Sequence, residues 1–287
     1  MKEIEFNAGK AREHSNSYKL EYIGKCLLIN IDGKKVLVIG DLHLGYEGAL
    51  RETGVLIGNE MLKEYMRYLD GVFEMIKKIS LSPKGNFIGN GRGGDGGNEN
   101  INNKDVVDEI VLLGDVKHVI GKVIREEWNG VIVFLSYLSS KCEKIVVVKG
   151  QHDALLDSIV KKLKNVLLVD YYIDDKYCFV HGNKKYDEME DGKIKYWVMG
   201  NAHPAIKISD DVKREKYKCF LVGKYKVGVG NVKEVVICPS FIYANEGSDV
   251  REKDLGMAWD FDYDKFRVII VGDDLEDLDF GKLGNLR

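Results

Sequence analysis

The sequence predicts an α/β (α+β) fold in which a largely buried sheet built from βαβ units is covered by a second sheet. Three observations predict it. Short β-branched runs alternate with helical patterns through the first two-thirds of the chain, helical periodicity fades after residue 196 while strands continue, and no linker rich in Pro, Ser or Gly divides the halves. The 287 residues, 1–287, are therefore expected to form one domain with enough core to fold alone.

The elements follow in order. Strands are expected over 26–30, 36–39, 110–113, 145–148, 166–169 and 177–180, then over 196–199, 219–222, 225–229, 234–238 and 266–271. Leu62, Met66, Leu69, Phe73 and Ile76 recur at steps of three and four, which gives one helix an apolar face. Further helices are expected over 128–138 and 154–163. Residues 82–104 break the pattern with seven of the 31 glycines interleaved with Asn, and read as a flexible surface insertion. No GK[ST] follows, so the stretch lacks what a phosphate-cradling P-loop needs. The acidic run 272–277 has no EF-hand spacing and reads as a solvated tail.

Composition excludes several function classes. With 43 Lys+Arg against 46 Asp+Glu the net charge is −3, so no global basic field announces a nucleic-acid partner. No apolar run reaches the roughly 18 residues of a membrane span, and the first residues lack the apolar core of a secretory signal. The five cysteines are odd in number, scattered and never spaced as CxxC. They read as buried thiols in a reducing compartment, so a cytoplasmic protein without a membrane partner is expected.

The six histidines are placed less randomly than their number suggests. Strand 36–39 ends in Gly40, Asp41, Leu42 and His43; strand 110–113 runs into Gly114, Asp115, Val116, Lys117 and His118; strand 145–148 leads to Gly150, Gln151, His152 and Asp153. His181 ends a fourth strand, and Gly200, Asn201, Ala202 and His203 follow a fifth. A lone Asp after a strand is commonly a helix cap, and a lone His is often a partner of backbone groups. Five such junctions in series point instead to a ligand crevice at the carboxyl ends of the strands, where a metal or phosphate binds. Only His14, in a polar segment with no strand before it, stands apart.

This ordered series resembles the calcineurin-like metallophosphoesterase superfamily, whose members carry DxH, GDxx(D/N/H), GNH(D/E), a lone His and GHxH in the same order. The likeness spans roughly residues 36–204 and is greatest to archaeal and bacterial phosphoesterases related to DNA-repair nucleases, some encoded beside helicases or ligases. It implies a two-sheet β-sandwich flanked by helices, hydrolysis of phosphodiester bonds in DNA or RNA, and a possible helicase or ligase partner. By the same resemblance Asp41, His43, Asp115 and His203 hold a first divalent metal, and Asp115 bridges to a second that takes Gln151, His181 and Asn201. His152 matches the catalytic His at the scissile phosphate, while His118, Asp153 and Lys117 are expected to meet substrate or support the ligands.

The residue types suit that chemistry. Carboxylate, amide and imidazole donors fit Mn²⁺ best, with Fe²⁺, Zn²⁺ or Mg²⁺ as alternatives. Two positions depart from the family pattern: Gln151 replaces its Asn and Asn201 its first GHxH His. Both fall on the second metal, so one firm and one weaker site are expected. Lys117, Lys149, Lys184, Lys185 and Lys195 lie near the junctions and read either as phosphate contacts or as solubilising charge. Two other functions stay open: a phosphodiesterase of small or cyclic nucleotides, and a non-catalytic metal-binding scaffold subunit.

Overall fold

A computed structural model describes residues 20–81, 106–122, 124–209, 214–243, 245–252 and 254–286. The expected insertion over 82–104 and His14 lie outside the described residues. Among the described residues the first sheet has six strands in the order β1 (Leu20–Ile23), β2 (Cys26–Ile31), β3 (Lys34–Ile39), β4 (Glu109–Leu112), β5 (Lys144–Val148) and β6 (Val166–Val169). Pairing is antiparallel from β1 to β3 and parallel from β3 to β6.

The second sheet runs β13 (Ser248–Asp249), β10 (Pro204–Ser209), β11 (Arg214–Lys226), β12 (Val232–Ile237), β9 (Tyr196–Met199), β8 (Tyr177–Val180) and β7 (Tyr171–Asp174). Off this path, β14 (Arg267–Val271) pairs with β11 and with β15 (Asp277–Lys282). The result is a mixed α/β sandwich of two sheets flanked by helices.

The period-two alternation of the strands explains the layering. Val36, Val38, Val111, Val146 and Val148 face the second sheet, where they pack with Phe179, Phe220, Val236 and Ile269. Their neighbours Leu37, Ile39, Ile110, Leu112, Ile145 and Val147 face the opposite way, onto the helices. Among these helices, α2 (Met61–Leu81) buries Met61, Tyr65, Leu69, Val72, Phe73 and Ile76 along one stripe, while α3 (Arg125–Ser139) contributes Val131, Phe134, Leu135 and Leu138. A short helix, α1 (Tyr46–Glu52), had no clear signal in the sequence; its Glu47 accepts the backbone N–H groups of Glu60 (3.1 Å) and Met61 (2.8 Å) and so satisfies the start of α2.

Three expectations need correction. The helix expected over 154–163 contracts to one turn, α4 (Asp157–Val160), because Leu155 before it adopts φ +79°, a left-handed conformation in which no helix propagates. The strands expected over 219–222 and 225–229 are one strand, β11; the Phe266 ring packs onto Gly223, so that glycine admits a neighbour and does not mark a turn. The acidic run 272–277 is no solvated tail. Gly24 donates to the Leu275 carbonyl (3.2 Å), Asp277 opens β15, and burial raises the Asp277 carboxyl to about 8.

All five cysteines are buried and free, as expected from their scatter. Among the described residues no helix is long and apolar enough to cross a membrane.

The packing makes a stability prediction. Phe220 is fully buried between the sheets, so Phe220→Ala removes a large ring and leaves a cavity. Urea unfolding should show a loss of about 3–5 kcal/mol; a loss under about 1 kcal/mol would contradict the sandwich packing.

Candidate metal centre

The parallel strands β3, β4 and β5 end side by side, and so do β8 and β9 in the other sheet. Five loops therefore converge at one edge of the sandwich. Hydrogen bonds extend the β3–β4 pairing into these loops: His43 N–H donates to the Asp115 carbonyl (2.8 Å) and Leu44 N–H to that of Val116 (2.9 Å). Within the second sheet Gly200 N–H likewise donates to the His181 carbonyl (3.0 Å), and between the sheets Phe241 N–H donates to that of Asp41 (2.7 Å).

At the convergence stand two buried carboxylates. Asp41 is 0% exposed and Asp115 4%. Asp41 Oδ1 lies 3.5 Å from His203 Nε2 and 3.6 Å from His181 Nδ1, and both its oxygens accept the Asn201 backbone N–H at 3.0 Å. Asp115 Oδ2 lies 3.5 Å from Nε2 of both His43 and His181, and 3.8 Å from His152 Nε2. Two groups of ligand-bearing side chains result, Asp41–His43–His203 and Asp41–Asp115–His181, sharing Asp41. A third group is made by His43, His118 and His152.

The donor set fits divalent cations on one decisive observation. His181 Nδ1 donates to the Leu113 carbonyl (2.7 Å), which turns Nε2 toward Asp115, and among the described residues that buried Nε2 has no hydrogen-bond partner. An imidazole tethered by one nitrogen, with the other left for an ion, is the arrangement that metal-ligating histidines adopt. Carboxylates and imidazoles together suit Mn²⁺, Fe²⁺ or Zn²⁺.

The charges are tightly coupled. Burial pushes Asp41 upward, but His203, His181 and His43 outweigh it and hold its carboxyl well below the usual range. Asp115 is likewise lowered against burial, chiefly by His181. Burial wins at His43, which falls to about 3 despite both carboxylates, whereas at His181 the carboxylates overcome burial and raise it to about 9. The two imidazoles beside one carboxylate are thus driven in opposite directions.

Of the other residues singled out in the sequence, His152 donates its Nδ1–H to the His118 carbonyl, and its backbone N–H binds Asp115 Oδ1 (2.9 Å). His118 Nδ1 faces His43 Nδ1 at 3.2 Å, and the His118 ring stacks on that of His152 at 5.6 Å. Asp153 is a staple between loops: it accepts from Gly150 N–H (2.9 Å) on one oxygen and from Val116 (2.8 Å) and Lys117 (3.3 Å) on the other. Lys117 turns inward, 1% exposed, and donates to the Val119 carbonyl. So buried an amine is no solubilising charge, and its contact with Val119 fits support of the loop.

The two departing residues stand apart from the carboxylate–imidazole groups. Gln151 is exposed in the turn after β5. Asn201 contributes its backbone to Asp41 while its side-chain Nδ2 donates to the Gly256 carbonyl at 2.7 Å.

Sequence reasoning missed two features. One is the close approach at Gly150, where a Cβ would lie 2.1 Å from Asp115 Oδ1, so that only glycine lets the β5 loop reach the carboxylate. The other is Glu127, whose Oε1 accepts the N–H groups of His118 (2.8 Å) and Val119 (2.7 Å) from the first turn of α3. No motif marks Glu127, because its partners are backbone groups brought near only by the fold.

No family model matches the chain, and no protein of curated function matches it. Among solved structures the chain is similar to the nuclease MPE of Pseudomonas putida, at 12% identity and TM-score 0.47, over 89% of this chain and 98% of that one. It is also similar to a single mutant of Vps29 from Entamoeba histolytica, at 12% identity and TM-score 0.31, over 86% of this chain and 99% of that one. Both are loose overlays.

The protonation state of His181 sets a pH dependence for metal binding. Below about 9 the imidazole carries a proton that an ion at Nε2 would have to displace, so binding there would release about one proton and weaken as pH falls. Titration calorimetry with Mn²⁺ between pH 7 and 8.5 should show affinity rising about tenfold per unit, and heats that vary with buffer ionisation. Affinity independent of pH would remove His181 from the ligands.

Proposed function

We propose that this chain is a metal-dependent phosphoesterase of the calcineurin-like kind, hydrolysing phosphodiester bonds in nucleic acid. The observation that carries the reading is the pair of His/Asp groups sharing Asp41, with Asp115 Oδ2 3.5 Å from imidazole nitrogens of both. Few reactions need two cation-binding groups fused at a carboxylate; displacement at phosphorus is one.

Asp41, His43, Asp115 and His203 would hold one ion and Asp115 with His181 the other, with Asp41 facing both groups. Mn²⁺ is the ion proposed. Bound divalent ions neutralise phosphoryl charge and lower the pKa of a nucleophilic water. The chain's own residues do the rest. Asp41 and Asp115 keep their charge because imidazoles surround them, so the centre is ready for cations at neutral pH. His152, half-buried at the rim with Nδ1–H committed to the His118 carbonyl, has Nε2 left to move a proton at the leaving oxygen. The side chain of Asn201 is engaged by Gly256 and Gln151 is exposed, which supports a weaker second site.

Nucleic acid is favoured over a small diester by Lys184 and Lys185, both exposed and only three and four residues past His181. Their ammonium groups are available to backbone phosphates flanking the one that is cleaved.

Turnover of bis-p-nitrophenyl phosphate with Mn²⁺ tests the reaction, and Asp115→Asn should lower it by about 10²-fold or more, since several kcal/mol of charge stabilisation are lost. Tight metal binding without turnover under any of Mn²⁺, Fe²⁺, Zn²⁺ or Mg²⁺ would establish the scaffold reading instead.

Lys184→Ala with Lys185→Ala tests the substrate class. The double variant should weaken cleavage of single-stranded DNA or RNA, reduce its salt dependence and leave the small diester unaffected. Equal effects on both substrates would move the assignment to small phosphodiesters.

A further inference from the structure

Glu127 lies at the start of α3, outside every sequence junction, yet it is 3% exposed and its carboxylate is committed to the loop that follows β4. Its Oε1 accepts two consecutive backbone N–H groups, those of His118 (2.8 Å) and Val119 (2.7 Å). The His118 N–H also donates to the Leu44 carbonyl (3.0 Å), which ties the same peptide to the loop after β3. Gly45 makes room for this approach: a Cβ there would lie 2.9 Å from Glu127 Cβ and 2.8 Å from Cγ. The acid also sits in the first turn of its own helix, where the dipole favours a negative charge.

What this anchoring accomplishes is seen one bond further on. The His118 carbonyl accepts the Nδ1–H of His152, and the His118 ring faces His43 Nδ1 at 3.2 Å while stacking on the His152 ring. A carbonyl accepts only from a protonated nitrogen, so the His118 peptide decides which nitrogen of His152 carries hydrogen. With Nδ1–H so engaged, Nε2 is turned toward Asp115 Oδ2 (3.8 Å) and the centre. If the His118–Val119 peptides rotated, His152 would lose both its tautomeric preference and its aim.

We propose that Glu127 is a positioning residue: by clamping the His118 and Val119 N–H groups it fixes the carbonyl that sets the tautomer and direction of His152. Its effect on catalysis rests on the phosphodiesterase reading given above; its effect on His152 does not. Among the described residues Oε2 of Glu127 has no hydrogen-bond partner, so the clamp runs through Oε1 alone.

The test compares Glu127→Gln, which keeps an accepting oxygen, with Glu127→Leu, which keeps the bulk and loses the acceptor. On metal-free protein, long-range ¹H–¹⁵N correlation of the imidazoles should show His152 as the Nδ1–H tautomer in the native chain and in Glu127→Gln. In Glu127→Leu it should become a mixture with Nε2–H. For the diester, kcat should fall about tenfold or more in Glu127→Leu with KM within about twofold, and return to within about threefold of native in Glu127→Gln.

If Glu127→Leu does not fold, Glu127→Asp, whose carboxylate stops one methylene short, takes its place. A folded Leu or Asp variant that keeps the native tautomer overturns the proposal, as does a Gln variant that behaves like Leu. A native protein without diesterase activity would overturn the function and leave the tautomer result to decide the clamp.

Discussion

Two carboxylates buried within reach of the same imidazole are the constraint from which the rest of this molecule follows. Asp41 and Asp115 are taken almost wholly out of water, and a buried charge is tolerated only when opposite charge or hydrogen-bond donors surround it. Every loop at this edge supplies one or the other. The Asn201 and His152 backbone N–H groups point at the carboxylates, and His43, His181 and His203 close around them. The arrangement also divides the imidazoles: His181 is held cationic by the acids, while His43 is kept neutral by its burial. A centre of this kind is nearly balanced as it stands, and a dication in place of the His181 proton would balance it further.

The sandwich brings five strand ends to one place. Parallel pairing within each sheet lines the ends up, and the valine-rich interface holds the two sheets in register so that His181 and His203 from one meet Asp41 and Asp115 from the other. Burying each such side chain contributes about 1.5–3 kcal/mol, and the sum supports loops that carry an unfavourable concentration of charge. Asp153 and Lys117 belong to this support: ionisable residues among the junction motifs, spent on backbone groups of the loops.

Much of this was legible in the sequence because the signals are local. A strand, a glycine and a polar residue follow one another within a few positions, and alternation separates the two faces of β3, β4 and β5 without knowledge of the fold. The failures were non-local. Gly223 looks like a break until Phe266 is placed on it, the 154–163 periodicity looks helical until Leu155 is seen to turn left-handed, and the acidic run 272–277 looks solvated until Gly24 binds its Leu275 carbonyl. Glu127 was invisible for the same reason, since its partners are backbone groups that no residue identity announces.

The left-handed backbone at the centre has a consequence of its own. His43, Asp115, Asn201 and His203 adopt φ values of 46°, 47°, 66° and 45°. Asn, Asp and His are the side chains most often found there after glycine. At His43, Asp115 and His203 the turn coincides with a candidate ligand atom, while at Asn201 it aims the backbone N–H at Asp41. Cysteine and glutamate are good ligands but poor occupants of such a turn, and all five cysteines lie elsewhere in the core. Attempts to re-engineer the centre for softer metals by thiolate substitution would thus meet a conformational barrier before a chemical one. The alphabet of ligands available here is set by backbone geometry as much as by the ion.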